Sequence, residues 1–139
     1  MQPSSRIACV LALGAFGLTG CASSQPATTT ESFGFSLVQR STLRGAQLWV
    51  DLGCAACHST NGTRGVGPTI RGLAGSRVRL RTGRTREATS RFLREAILGR
   101  PGTQVRGYPR NAMRESIGRA RRLDRTDVQG IVDFIESVR

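Results

Sequence analysis

Lysine is absent from this 139-residue chain: all 21 basic residues are Arg, set against 9 acidic ones. A bias to one basic residue can come from genome composition as readily as from chemistry. The formal net charge of +12 is what bears on function. A surface so basic suits nucleic acid, an acidic membrane or an acidic protein partner. Histidine occurs once, at His58. If that imidazole is a ligand, no second one remains as an acid or base for peroxide chemistry. Hydrophobic residues make up only 38% of the chain and aromatics 5%, which is little for a core made of protein alone. No strand pattern and no internal repeat is evident. The one long apolar run, Ile7 to Leu18, is too short for a comfortable membrane span. Length alone suggests one domain.

What the chain does have is Cys54-Ala55-Ala56-Cys57-His58, the attachment motif for a c-type haem. Two thiols at this spacing can add to the two vinyl groups of one porphyrin. The His that follows sits under the ring and can bind the iron. A thioredoxin-like Cys-x-x-Cys pair needs no such His, and no βαβ pattern surrounds the motif. One covalent haem c is therefore expected, and it would supply the apolar bulk the composition lacks.

Residues 1–20 read as a secretory signal, with Arg6 before the apolar run. The run ends in Leu18-Thr19-Gly20-Cys21, which resembles the bacterial lipoprotein box. Cys21 would then carry lipid and anchor the chain stably at a bilayer surface. With Cys9 removed in the signal, Cys21 lipidated and Cys54 and Cys57 on haem, no thiol remains for a disulfide. The expected location is the periplasmic side of a bacterial cell envelope. Export argues against nucleic acid as the partner of the basic surface and favours an acidic redox protein, for which complementary charge raises encounter rates.

Residues 21–40 read as a tether rich in Ser, Thr, Pro and Gln, with an r.m.s. reach of about 25 Å. Phe33, Phe35, Leu37 and Val38 suggest a short extended segment packed on the domain. Residues 41–139 form the domain, and its patterning predicts an all-α fold with three main helices. Ser41 would cap a helix from about Thr42 to Leu52, ended by Gly53. A second would run from Thr85 or Arg86 to Leu98, with Phe92, Leu93, Ala96 and Ile97 on one side. A third would run from Arg125 to Val138 with Val128, Ile131, Val132, Ile135 and Val138 buried and Phe134 at the edge. The Arg-rich stretch 77–86 suits an exposed loop or a solvated face, and with Arg119, Arg121 and Arg122 it is the densest charge.

The order of haem motif, Gly67-Pro68 loop, middle helix, lone Met and last helix resembles a class I cytochrome c over residues 43–138. It is most similar to the cytochrome c domain of bacterial haem-copper oxidase subunit II, through Arg44-Gly45-Ala46-Gln47-Leu48-Trp49, the haem motif, Gly67 to Gly75, and Gly107-Tyr108-Pro109. The resemblance implies a fold wrapped around the haem, with His58 as proximal ligand. The Pro68 carbonyl would meet the other ring nitrogen, and Ile70 would press on the porphyrin. Gly45 and Trp49 would cross Ile131 and Phe134. Met113, the only Met after Met1, would be the sixth ligand, although Arg114 and Glu115 follow it where the family usually has Pro and an apolar segment. Tyr108 either reaches a haem propionate or packs. The function implied is single-electron transfer in a respiratory chain, as a carrier or a small subunit of an oxidase or quinol-oxidising complex, and not catalysis. The alternative is a gas sensor or peroxidase-like enzyme with a labile sixth ligand.

Overall fold

Asp124 starts the last helix. Its side chain accepts from the Asp127 N–H at 2.7 Å, which satisfies one of the free donors of a helix N-terminus. Val128, Ile131, Val132 and Ile135 then recur at helical spacing, and all four are buried. The computed structural model describes residues 30–116 and 123–139. Its elements are α1 (Thr30–Asp51), a 3₁₀ turn (Cys54–Ala56), β1 (Arg77–Arg79), β2 (Thr85–Glu87), α2 (Ser90–Ile97), α3 (Ala112–Ser116) and α4 (Arg125–Ser137). No helix among the described residues is long and apolar enough to cross a membrane. The expected signal, Cys21 and Arg119 to Arg122 lie outside the described residues.

The frame is the crossing of α1 on α4. A side chain at Gly45 would overlap the Gly130 carbonyl and lie 2.9 Å from the Ile131 nitrogen. Two glycines thus let the backbones approach, and larger side chains close the crossing on either side. Trp49 stacks at a tilt on Phe134, with centroids 5.7 Å apart. Arg44 adds an ion pair to Asp127 across the same crossing. Trp49, Ile70, Phe92, Leu93 and Ile97 join the α4 stripe in one core.

Helix α1 begins at Thr30, not near Thr42, so Ser41 lies inside it rather than at its cap. The expected extended segment is therefore helical, and the second half of the expected tether belongs to a helix. Leu37 and Val38 are exposed instead of packed. The α1 residues around Gly45 and Trp49 are packed on α4, and extending an existing helix adds one hydrogen bond per residue at little expense.

The fold is mostly helical but not all-α. Residues expected as an exposed basic loop form an antiparallel hairpin, with Arg77 opposite Glu87, Val78 opposite Arg86 and Arg79 opposite Thr85. Val78 and Leu80 are buried while Arg77 and Arg79 are exposed, the two-residue alternation of a strand with one face covered. Gly83, at φ 85°, makes the turn. Occupied by this strand, Thr85 and Arg86 cannot open α2. That helix starts at Ser90, with the Thr89 side chain accepting from Phe92 N–H.

Candidate functional site

Gly53 ends α1 in the left-handed conformation, at φ 73°. The chain then tightens into the 3₁₀ turn, where the N–H groups of Cys57 and His58 both donate to the Cys54 carbonyl, at 3.1 and 3.0 Å. Both thiols are free and half-buried. Burial, the largest effect, pushes the Cys54 thiol above its ordinary pKa.

His58 Nδ1 lies 2.7 Å from the Pro68 carbonyl oxygen. A carbonyl only accepts, so Nδ1 carries the proton and Nε2 keeps its lone pair. Burial lowers the His58 pKa, with the Pro68 bond opposing it, so the ring is neutral and able to ligate at neutral pH. The loop that supplies Pro68 is tied to the motif. Gly67 N–H donates to the Cys57 carbonyl at 2.8 Å, and Ile70 N–H to the Ser59 carbonyl at 2.8 Å. Thr69 Oγ1 donates to that same Ser59 carbonyl at 3.0 Å. Gly67 is there for space, since a Cβ on it would fall 2.6 Å from Nδ1 and 2.7 Å from Nε2 of the imidazole. Trp49 packs beside the ring, centroid to centroid 5.8 Å. Its Nε1 is the one buried side-chain polar atom without a partner among the described residues.

Cys54, Cys57, His58, Pro68, Ile70, Tyr108 and Met113 all line one cleft, with Leu52, Leu73, Phe92, Leu93 and Ile97 among its apolar walls. Met113 sits on the short helix α3. Two arginines meet the Tyr108 segment, Arg64, which the sequence did not single out, and Arg81, from the Arg-rich stretch 77–86. Arg64 lies over the Tyr108 ring at 5.1 Å and donates to the Gly107 carbonyl at 2.7 Å. Arg81 donates to the Tyr108 carbonyl at 3.2 Å. Two further cleft residues, Gln104 and Asn111, were also missed. Only the tolerance of Asn for left-handed backbone hinted at the second of these.

The donor set constrains what the cleft can hold. No group of three or more His, Cys, Asp or Glu side chains among the described residues is placed to hold a bare metal ion. One imidazole and one thioether are two ligands. An iron held by them needs its other four from a macrocycle, and the two thiols and the apolar walls suit a covalently attached porphyrin. A scan of protein families matches residues 42–139 to the family described as Cytochrome c. No curated protein matches the chain.

Proposed function

The chain belongs to the cytochrome c family, a haem electron-transfer class whose haem c and iron are covalently attached, and from that premise we propose that it is a lipid-anchored, monohaem respiratory cytochrome. It would sit on the periplasmic side of a bacterial membrane, held by lipid on Cys21. It would pass single electrons as a carrier or as a small subunit of an oxidase or quinol-oxidising complex.

The observation that carries the reading is the convergence of two thiols, a neutral imidazole and a thioether on one apolar cleft. The bound haem supplies a one-electron couple. Cys54 and Cys57, just past the end of α1, would hold it covalently through their thiols. His58 Nε2 faces its role with Nδ1 committed to Pro68, which sets the tautomer and raises ligand basicity. Met113 would be the other ligand this chain offers the iron, and a thioether would favour the reduced state. Ile70 and the walls of α2 and α4 exclude water from the ring. Arg64 and Arg81 beside Tyr108 add to a basic surface that complements an acidic redox partner.

A second reading follows from the residues after Met113, Arg114 and Glu115, where the family usually has Pro and an apolar segment. A sixth ligand held loosely would leave room for a small gas or peroxide. Absorption spectra of the mature protein, oxidised and reduced, with and without carbon monoxide, separate the two. A ferric sulfur–iron band and no response to carbon monoxide are expected. Ready carbon monoxide binding with no sulfur band would refute the carrier reading and favour the sensor. Lipid on Cys21 is checked by fatty-acid labelling in the native host, which a Cys21→Ser change must abolish. Gentle isolation from membranes, read for co-purifying subunits, separates a complex subunit from a free carrier.

A further inference from the structure

We propose that Asn111 and Gln104 form a polar latch that positions Met113; the inference rests on the reading of Met113 as the sixth ligand. Helix α3, which carries Met113, has five residues and none of them is buried. A helix this short takes its direction from the residue that leads into it.

Asn111 immediately precedes α3 and is the only non-glycine residue with positive φ among those described, at 62°. Left-handed backbone is costly for residues with a Cβ, least so for Asn and Asp, and it persists where the surroundings over-determine it. Two bonds do so here. Gln104 Nε2 donates to Asn111 Oδ1 at 2.8 Å. The Asn111 carbonyl accepts the Glu115 N–H at 2.9 Å, which closes the first turn of α3. The direction in which α3 leaves, and so the position of Met113 two residues on, follows from the Asn111 backbone.

Gln104 is itself anchored to the rigid part of the fold. Its carbonyl accepts from Arg81 N–H at 2.9 Å, and Arg106 N–H donates to the Arg79 carbonyl at 2.8 Å. Between them Leu80 pairs with Val105, and Leu80 is 2% exposed. The hairpin and the core thus set Gln104, Gln104 sets Asn111, and Asn111 sets Met113. All three side chains of this relay line the cleft. A neutral thioether is a weak ligand whose occupancy depends on being held in place, so the latch decides whether the sixth position is filled.

Three variants of the haem-loaded protein test this. Asn111→Ala removes the acceptor and the tolerance for left-handed backbone. Asn111→Asp keeps both. Gln104→Leu removes the donor and leaves Asn111 intact. The wild type and Asn111→Asp should show the ferric sulfur–iron band and ignore carbon monoxide. In Asn111→Ala and Gln104→Leu the carbon monoxide-reactive fraction should rise roughly tenfold or more, with a weaker sulfur band and a lower reduction potential. Thermal unfolding and bound haem, measured on every variant, establish that each is folded. Asn111→Ala and Gln104→Leu proteins that keep the wild-type band, potential and indifference to carbon monoxide would overturn the latch, as would an Asp variant that behaves like Ala. A wild type without the sulfur band would instead remove Met113 from the iron, and the latch with it, before any variant is made.

Discussion

Gly67→Ala is the sharpest perturbation of the proximal side. The added Cβ would lie 2.6 Å from His58 Nδ1 and 2.7 Å from Nε2, and real Cβ atoms essentially never approach other atoms within 3.0 Å. Either the imidazole or the loop must move. The loop is pinned by the Gly67 N–H bond to the Cys57 carbonyl and by the Ile70 bond to Ser59, so the ring gives way and its bond to Pro68 lengthens. Overpacking of this kind costs about 1–3 kcal/mol. A domain of this size loses about 4–8 °C of Tm per kcal/mol. The redox effect is separable from that loss. The Pro68 bond raises the basicity of the imidazole and so favours ferric iron. If about 1 kcal/mol of it is felt only in the oxidised state, weakening it raises the potential by roughly 40 mV, given 59 mV per tenfold for one electron. Gly72→Ala is the control. Gly72 has φ +64° and no atom within 4 Å of an added Cβ, so Ala there costs about 1–2 kcal/mol of backbone strain without touching His58. Both variants should melt lower, but only Gly67→Ala should shift the potential measured by redox titration. Equal potentials in the two variants would refute the argument that Gly67 exists to seat the imidazole.

Gly45→Ala should be more damaging to stability than either, because its Cβ would overlap backbone of α4, which cannot rotate aside; a loss of about 3 kcal/mol is expected in denaturant titration, and a loss below about 0.5 kcal/mol would contradict the crossing described. Glu95 has its pKa lowered, chiefly by the hydrogen bond from Arg91 and further by Arg86. Its contribution is therefore present above the unfolded carboxylate pKa of about 4.3 and is lost as pH falls through the lower folded value. Glu95→Gln should cost stability at neutral pH and nothing at about pH 2, a difference read from paired unfolding curves. Starting the chain at Ser41 should leave the haem spectrum and potential unchanged while reducing helical circular dichroism, since Leu37 and Val38 are exposed; a shifted potential would show that the first turns of α1 reach the cleft.

The proximal half of the cleft was legible in the sequence because short-range covalent spacing dictates it. Cys54, Cys57 and His58 lie within five residues of one another, and Pro68 follows a glycine whose only evident purpose is room for a ring. The α4 stripe was legible for a similar reason, with apolar residues at helical spacing after a capping Asp. Where the reading went astray, a local signal had two meanings. Arg-Val-Arg-Leu looks like a solvated basic loop if the arginines are counted, and like a strand if Val78 and Leu80 are; the core behind them settles which. The Ser and Thr residues around Thr30 resemble a linker, yet they continue a helix whose residues around Gly45 are packed on α4.

The distal half was legible only in part, because its order is held by side chains far apart in sequence. Arg64 reaches Gly107 and Arg81 reaches Tyr108, across 43 and 27 positions. Such bonds leave no periodic trace. Met113 could be singled out because it is alone, but nothing local to Ala112-Met113-Arg114-Glu115 says how it is held, since the polar contact that leads into α3 comes from Gln104. This asymmetry has a functional consequence. Covalent and packed contacts make the proximal ligand nearly insensitive to surface change. Met113, the proposed distal ligand, depends on polar contacts made outside its own helix, so substitutions that open the sixth position should cluster on the distal side, whereas those near His58, such as Gly67→Ala, act on the potential through the imidazole.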